Sequence, residues 1–391
     1  MNIDFTPGER KFQEEVRQWF AENLPEEIKQ KVELGLELSK DEQVAWERKL
    51  GEKGWLAANW PEEFGGPGWT ATERYIFAQE RALASAPNVS PFGVAMVAPV
   101  IMAFGTDEQK EEYLPKIRTG RQLWCQGYSE PGAGSDLASL KTAAKRKGDH
   151  YVVNGQKIWT TQAHWADMMF CLVRTSSEGR KQQGISFLLI DMNSPGIEVR
   201  PIITIDGVHH LNEVFLTDVK VPVNNRVGEE GQGWTLAKYL LGHERTGIAG
   251  VPESTKQIAR LKRIAGQDTV NGAPLLEDPD VRRRIAELEI DLKALEYTNF
   301  RTLDAMARGN PPGPESSGLK IKGTQLQQGI TEALLEMGGY LSLPWHTEEA
   351  IGMREYNTST LRYNFLRAST IYGGSNEIQK NVIAKNILGL G

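Results

Sequence analysis

The sequence predicts a mainly helical α+β fold in three consecutive segments: helical over residues 1–122, β over 123–232 and helical again over 233–391. Three observations predict it. In the first segment, apolar residues recur at helical spacing behind N-terminal caps. In the second, short apolar runs alternate with Gly, Pro, Asn and Asp breakers. From Trp234 the helical period returns. A chain of 391 residues is long enough for two or three domains with a sizeable core.

Thr6-Pro7-Gly8-Glu9 places an N-cap, a proline at N1 and a glutamate at N3, which is a capping box, with Phe12, Val16, Trp19 and Phe20 following at helical spacing. Ser39-Lys40-Asp41-Glu42 repeats the pattern ahead of Trp46 and Leu50, and the Pro- and Gly-rich stretch 60–69 interrupts the helices. Residues 92–105 are apolar on every side, which predicts a buried helix and a candidate cavity wall. In the β segment, Tyr151 to Trp159 reads as two short strands about an Asn154-Gly155 turn. Further strands are expected at 168–173, 185–190, 214–216 and 219–221. Asp278-Pro279 starts a long helix with Val281, Ile285, Leu288, Leu292 and Leu295 on one face. Residues 309–314 form a linker, the next helix ends at Gly338-Gly339, and the last begins near Ser375.

Composition excludes several function classes. With 45 Lys and Arg against 51 Asp and Glu, the net charge of −6 argues against general nucleic-acid binding, which needs a basic surface. Two cysteines, Cys125 and Cys171, exclude a disulfide scaffold or a thiolate zinc site. The first residues show no basic-then-apolar secretory signal, and the longest apolar run is 14 residues with Pro99 inside it. A membrane span needs ~20, so a soluble cytoplasmic protein is expected. There is no phosphate-binding loop, no Gly-x-Ser-x-Gly elbow and no complete dinucleotide fingerprint. His243-Glu244 lacks the second histidine of a zinc-protease helix, and no metal site is expected.

Three elements carry candidate chemistry. Ser129 to Asp136, with Pro131, Gly132 and Gly134, brings backbone N–H groups and hydroxyls close to a neighbour or simply makes a tight turn. Trp159-Thr160-Thr161 alternates a flat aromatic with hydroxyls at a strand end, which also suits a packed strand with polar ends. Gly373-Gly374 running into Ser375-Asn376-Glu377 suits a phosphate or cofactor edge, or plain helix capping.

In this order on an α-β-α chain, the three elements resemble the acyl-CoA dehydrogenase flavoprotein family over essentially the whole length. The resemblance rests on Ser129-Glu130-Pro131-Gly132-Ala133-Gly134-Ser135-Asp136 and Gly155-Gln156-Lys157-Ile158-Trp159-Thr160-Thr161. Trp124 to Gly127, His243 to Ala249 and Ile371 to Gln379 look like the large subunits of its heteromeric bacterial branch, which includes pimeloyl-CoA dehydrogenases. The fold implied is an N-terminal helical domain, a β-barrel-like middle domain and a C-terminal four-helix bundle. The cofactor implied is FAD, with Gln126, Tyr128 and Ser129 along the flavin, Trp159 near its ring and Thr161 near N5. Gly134 and Ser135 would approach the pyrophosphate or the acyl-CoA pantetheine; Gly338, Gly339, Ser375 and Glu377 would touch the cofactor of a neighbouring subunit. The activity implied is α,β-dehydrogenation of an acyl-CoA, of the β-oxidation type, with hydride passing to the flavin. Electrons would then pass to an electron-transfer flavoprotein.

That chemistry needs a base. Many members carry a glutamate after the tyrosine of the C-terminal motif, where this chain has Gly373, whose backbone N–H can still polarise a thioester carbonyl. Glu244 is the candidate: Leu240, Leu241 and Ile248 flank it on one helix face, and desolvation there raises a carboxyl toward neutrality. The structural alternative pairs Glu244 with a buried arginine. Arg245 is expected to meet CoA or a partner chain, and Phe92, Met96 and Met102 to line the acyl pocket. Glu130 reads as structural and Glu377 as a poor base. The resemblance implies a homotetramer or an α2β2 heterotetramer with a small subunit, and a dicarboxyl-CoA such as pimeloyl-CoA as substrate. Two other readings stay open: a non-catalytic subunit completing a partner's FAD site, and an acyl-CoA oxidase.

Overall fold

The structure, a computed structural model, describes residues 5–308, 313–314, 316–344 and 351–390; for 242–248, 306 and 307 it describes the backbone alone. The linker expected at 309–314 therefore lies mostly outside the described residues. The chain divides into two compact units. One gathers Met1–Ser39, Trp69–Asn88 and Arg245–Gly391, the other Lys40–Gly68 and Val89–Glu244. Their boundary falls inside helix Gly233–Ile248.

The first unit is helical. Thr6 caps helix Pro7–Asn23 with the full capping box to Glu9, and Val16 and Phe20 point inward, Phe20 onto Phe77 of helix Ala71–Leu83. Helices Val251–Gln267, Pro279–Ala307 and Ser316–Gly338 share one core, in which Leu261 and Ile264 join Ile285, Leu288, Leu292 and Leu295 at the expected helical spacing. Ser375 caps helix Asn376–Asn386 by accepting from the Ile378 N–H.

The second unit is built on one sheet of eight strands: β1 Trp124–Gly127, β2 Ala143–Lys147, β3 His150–Lys157, β4 Met168–Arg174, β5 Ile185–Asp191, β6 Ile197–Ile203, β7 His209–Pro222 and β8 Arg226–Val227. Their order is β6-β7-β3-β2-β4-β5-β8, with β1 parallel to β4. β4 and β5 are covered on both faces, which is why they read as unbroken apolar runs. Phe170, Leu172 and Phe187 pack with Val97, Ile117 and Leu236 of the unit's helices. Met169, Cys171 and Leu188 pack with Tyr151, Val153, Val214 and Val219.

Two strand expectations are corrected. Asn154-Gly155 is not a turn: β3 runs straight through it, and the hairpin closes one strand earlier, between paired Lys147 and His150. Gly155 is a bulge against β7, where a Cβ would stand 2.5 Å from Thr142 Oγ1 and 2.7 Å from its Cα. The strands expected at 214–216 and 219–221 are one, β7, which passes through Asp218 at φ 50°. Asn154 staples the two irregularities together, donating from Nδ2 to Asp218 Oδ1 at 3.0 Å and accepting the Asp218 N–H at 2.9 Å.

Residues 92–104 are helical, but the first turn is wide: Phe92–Val97 winds as a π-helix and Ala98–Phe104 as α-helix, with Pro99 accommodated near the start of the latter. The Trp60 indole donates to the Val94 carbonyl at 2.7 Å within this π turn. Among the described residues no helix is long and apolar enough to cross a membrane.

Candidate functional site

The first motif closes as a small hairpin. Glu130 and Ala133 exchange both backbone hydrogen bonds at 3.0 Å, leaving Gly132, Gly134 and Ser135 exposed, and a Cβ at either glycine would meet nothing within 4 Å. Below it lies a buried ion pair. Lys157 is fully buried at the end of β3, and its three N–H groups have three acceptors: Glu130 Oε1 at 2.8 Å, Leu172 O at 2.7 Å and Tyr128 O at 3.3 Å. Glu130 in turn accepts the backbone N–H groups of Lys141 and Thr142 at 2.6 and 2.9 Å. Burial pushes the Glu130 carboxyl up, but the Lys157 ammonium and these hydrogen bonds outweigh it and hold the group below the usual range. Glu130 is structural here, as the sequence reading has it.

This pair sets up Trp159. The Ile158 N–H donates to Ser129 O at 2.9 Å, and the chain then turns so that Trp159 sits at φ 59° with its side chain 56 % exposed. A left-handed backbone at a bulky residue costs of order 1–3 kcal/mol and persists only where its surroundings enforce it. Three bonds from β7 enforce it: Thr160 N–H to Asn212 O at 3.0 Å, Asn212 Nδ2 to Thr160 O at 2.9 Å, and Gln162 N–H to His210 O at 3.1 Å. Gln162 is itself at φ 58°.

Asn212 is fully buried and its amide is fully used. Its second Nδ2 hydrogen points to His164 Nδ1 at 3.0 Å, and its Oδ1 accepts from His209 Nε2 at 2.7 Å. The two imidazoles stack, with ring centroids 3.9 Å apart. This orientation of the amide makes His164 Nδ1 an acceptor and His209 Nε2 a donor. The sequence reading treats all histidines but His209-His210 as scattered; the fold brings His164 onto His209. A signal for Asn212 does exist: it holds the inward register of β7 immediately before the apolar Val214 and Leu216. Lys157 is a similar polar residue at a buried strand end. Among the described residues no three His, Cys, Asp or Glu side chains gather as a metal-binding group.

The other expected residues of this unit divide. Gln126 and Ser129 are half-exposed, as is Thr161. The Tyr128 ring instead enters the core, edge-on to Phe170 and Phe187 at 5.7 and 6.4 Å, so it offers the surface little beyond its backbone. Phe92 and Met96 take the buried side of the π turn. In helix Gly233–Ile248, Leu236, Ala237 and Leu240 are buried on one face. The side chains of Glu244 and Arg245 lie outside the described residues.

In the first unit, Gly338 is a close-packing glycine: a Cβ there would be 2.1 Å from Ser342 Oγ and 2.6 Å from the Tyr356 ring. Gly339 is at φ 49° and exposed. Gly373 and Gly374 take φ 62° and 78°, and the Gly373 carbonyl accepts from Gln379 Nε2 at 3.0 Å. Ser317 Oγ donates to Gln379 Oε1 at 2.7 Å and Lys320 Nζ to Asn376 Oδ1 at 2.9 Å, which locks the glycine pair against helix Ser316–Gly338. Glu377 is exposed; its own N–H and the Ser375 hydroxyl hold it below the usual carboxylate range, so it is ionised and fully solvated.

Chemically, the 129–135 and 159–161 elements offer a fixed flat aromatic face, hydroxyls and an open glycine turn, and no exposed acid or base. They can pack and hydrogen-bond a flat polar ring system; proton transfer must come from elsewhere.

Comparison with known proteins identifies the family. Acyl-CoA dehydrogenase domain models match the chain in order: the N-terminal domain over residues 6–121, the middle domain over 125–219 and the C-terminal domain over 231–388. Acyl-CoA dehydrogenase IpdE1 of Mycobacterium tuberculosis is 36 % identical over 385 residues, covering 97 % of each protein. A chain of the ChsE4-ChsE5 complex from Mycobacterium tuberculosis superposes with a TM-score of 0.88 at 34 % identity, covering 100 % of both chains. A chain of the Tcur3481-Tcur3483 steroid ACAD does so with a TM-score of 0.87 at 31 % identity, again covering 100 % of both. With three consecutive domain models and full-length relatives in agreement, the chain belongs to the acyl-CoA dehydrogenase family, whose members are FAD-dependent oxidoreductases.

Proposed function

We propose that this protein binds FAD and dehydrogenates an acyl-CoA thioester to the trans-2-enoyl-CoA, with Glu244 as the base. The observation that carries the reading is Trp159, a large aromatic held exposed in a left-handed conformation by Ser129 on one side and Asn212 on the other. Such enforced strain at an exposed aromatic fits a platform for a flat ring. Gln126, Ser129 and Thr161 supply polar groups along the cofactor, Tyr128 its backbone, and Gly134 and Ser135 an open turn for a phosphate or pantetheine. Gly338, Gly339, Ser375 and Glu377 are assigned to the cofactor of a neighbouring subunit. FAD bound there supplies the hydride acceptor, at N5, that removal of a β-hydrogen requires.

The chain's own part is acid–base and electrostatic. Gly373 has no side chain to take a proton, and its N–H polarises the thioester carbonyl, which acidifies the α-carbon. Glu244 takes the α-proton; in the sequence Leu240, Leu241 and Ile248 share its helix face, the setting that raises a carboxyl toward neutrality. Arg245 is assigned to CoA or a partner chain, and Phe92 and Met96 to the wall behind the acyl group. The Glu244→Gln protein is expected to keep FAD and to lose anaerobic bleaching by acyl-CoA, with the rate falling ~10²–10⁴-fold. Full retention of bleaching overturns Glu244 as the base.

For the substrate, the likeness to a chain of the Tcur3481-Tcur3483 steroid ACAD favours a thioester carrying a bulky ring system over pimeloyl-CoA. Anaerobic bleaching by a steroid side-chain CoA and by pimeloyl-CoA, compared directly, decides between them. The likeness to a chain of the two-component ChsE4-ChsE5 complex supports a second reading, an α2β2 heterotetramer in which this chain completes a shared FAD site. Protein that gains FAD only when a second subunit is co-expressed favours that reading over the homotetramer. Reduction of an electron-transfer flavoprotein, without peroxide formation in air, separates the dehydrogenase from an oxidase.

A further inference from the structure

The sheet unit buries a second carboxylate besides Glu130. Glu47, on helix Lys40–Glu52, is 4 % exposed, and hydrogen-bond donors meet it: Gln43 Nε2 and the Ser90 backbone N–H both reach its Oε1 at 2.7 Å. Burial pushes the Glu47 carboxyl up, and these two hydrogen bonds offset part of the rise. Taking a carboxylate out of water is costly, and here it serves to hold Ser90 by its N–H.

Ser90 is restrained a second time by Pro91, which confines the residue before it to extended backbone. So held, Ser90 Oγ donates to Gln162 Oε1 at 3.0 Å. Gln162 is the second left-handed residue of the turn that carries Trp159, and such a backbone persists only where its surroundings enforce it. Its N–H is tied to His210 O of β7, and its carbonyl accepts the Trp165 and Ala166 N–H groups at 2.9 and 3.1 Å. Thr161 therefore stands between two pinned residues, Thr160 on Asn212 and Gln162 on His210 and Ser90. Ser90 also lies two residues before Phe92, where the π turn begins. One hydroxyl thus ties the start of the π turn to the turn that carries Trp159 and Thr161.

We propose that Ser90, seated on Glu47, is a positioning residue for the flavin site: its hydroxyl fixes Gln162, and with it the Thr161 side of the ring platform, in register with the π turn assigned to the acyl wall. This rests on the reading of Trp159–Thr161 as the flavin platform.

The test uses full-length protein carrying Ser90→Ala, Ser90→Thr, Gln162→Met, or the first and last together. Amide hydrogen exchange over residues 158–166, followed by mass spectrometry, is expected to quicken about 2–10-fold in Ser90→Ala and to stay near wild type in Ser90→Thr, which keeps a hydroxyl. The double variant is expected to exchange no faster than the faster single one, because both remove the same bond. On FAD-loaded protein, Ser90→Ala is expected to alter the visible circular dichroism of the flavin and to weaken FAD binding about 2–10-fold, with Ser90→Thr restoring both. Unchanged exchange in Ser90→Ala, additive effects in the double variant, or a loosened turn with unaltered flavin dichroism each overturns the proposal. Coupled exchange in a protein that takes up no FAD, alone or with a co-expressed second subunit, overturns the flavin reading itself and reduces Ser90 to a structural tie.

Discussion

Lys157 in the sheet unit and Arg260 in the helical unit are both cations taken out of water, and their surroundings treat them in opposite ways. Lys157 faces one carboxylate and two carbonyls, one acceptor for every N–H, and Glu130 spends its remaining capacity on the 141–142 backbone. Arg260 lies near Arg362, Arg263, Glu355 and Glu33, and its Nε and Nη2 have no acceptor among the described residues. A closed pair fixes geometry, here the strand end that carries Ser129 and Trp159. An open cluster leaves buried donors unmet, at a cost in stability.

The comparison breaks most severely if Lys157 is removed alone. Lys157→Met leaves Glu130 buried without its cation and is expected to cost about 3–5 kcal/mol in denaturant unfolding. The double variant with Glu130→Gln should recover a large part of that loss, because it removes the orphaned charge; no recovery would show that the pair is not closed. Next in size is Asn212→Ala, which frees the Thr160 carbonyl and both imidazoles and is expected to cost about 1–3 kcal/mol. It should also weaken FAD retention more than an exposed control such as Glu178→Ala. Gly338→Ala probes the helical unit away from its charges, where the Tyr356 ring has no room for a methyl group; about 1–3 kcal/mol is expected.

The pH response is the smallest effect and the one that distinguishes the clusters by sign. The Glu130 carboxyl is lowered in the folded state, so its contribution is fully present above the unfolded carboxylate range of ~4.3 and is lost as pH falls through the folded value. Lys256 and Arg260 are also lowered, but as cations. Below their folded values both states hold the proton and the cluster carries its full repulsion. As pH rises through those values the folded state releases protons first, so the helical unit gains stability relative to a Lys256→Met protein. Denaturant unfolding from pH 3 to 5 and from pH 8 to 10 should show these two slopes, and equal slopes in wild type and variants would remove the distinction.

Much of this architecture is legible in the sequence because it is local. The capping box at Thr6 and Glu9, the apolar face of helix Pro279–Ala307 and the cap at Ser375 depend on residues three or four apart, and each is where the spacing puts it. The apolar runs of β4 and β5 are legible for the same reason. What failed was Asn154-Gly155, which carries the local signature of a hairpin turn. Whether that dipeptide turns or bulges is decided by β7 and Thr142, far away in the chain, which hold the strand straight and leave no room for a Cβ.

For the site, the sequence by itself determined which residues form the motifs: the Ser129–Asp136 turn, the Trp159–Thr161 strand end, the absent side chain at Gly373 and the carboxylate at Glu244. Only the tertiary structure decided how they stand. It turned Tyr128 inward onto Phe170 and left Trp159 outward in a left-handed conformation, and it recruited Asn212, His164 and His209 to hold that turn. It also gathered Arg81, Arg260 and Arg362 from three separate helices around Lys256. The physical reason is range. Caps and helical faces are settled by neighbours along the chain, whereas strain, buried charge balance and unmet donors exist only once distant segments exclude water together.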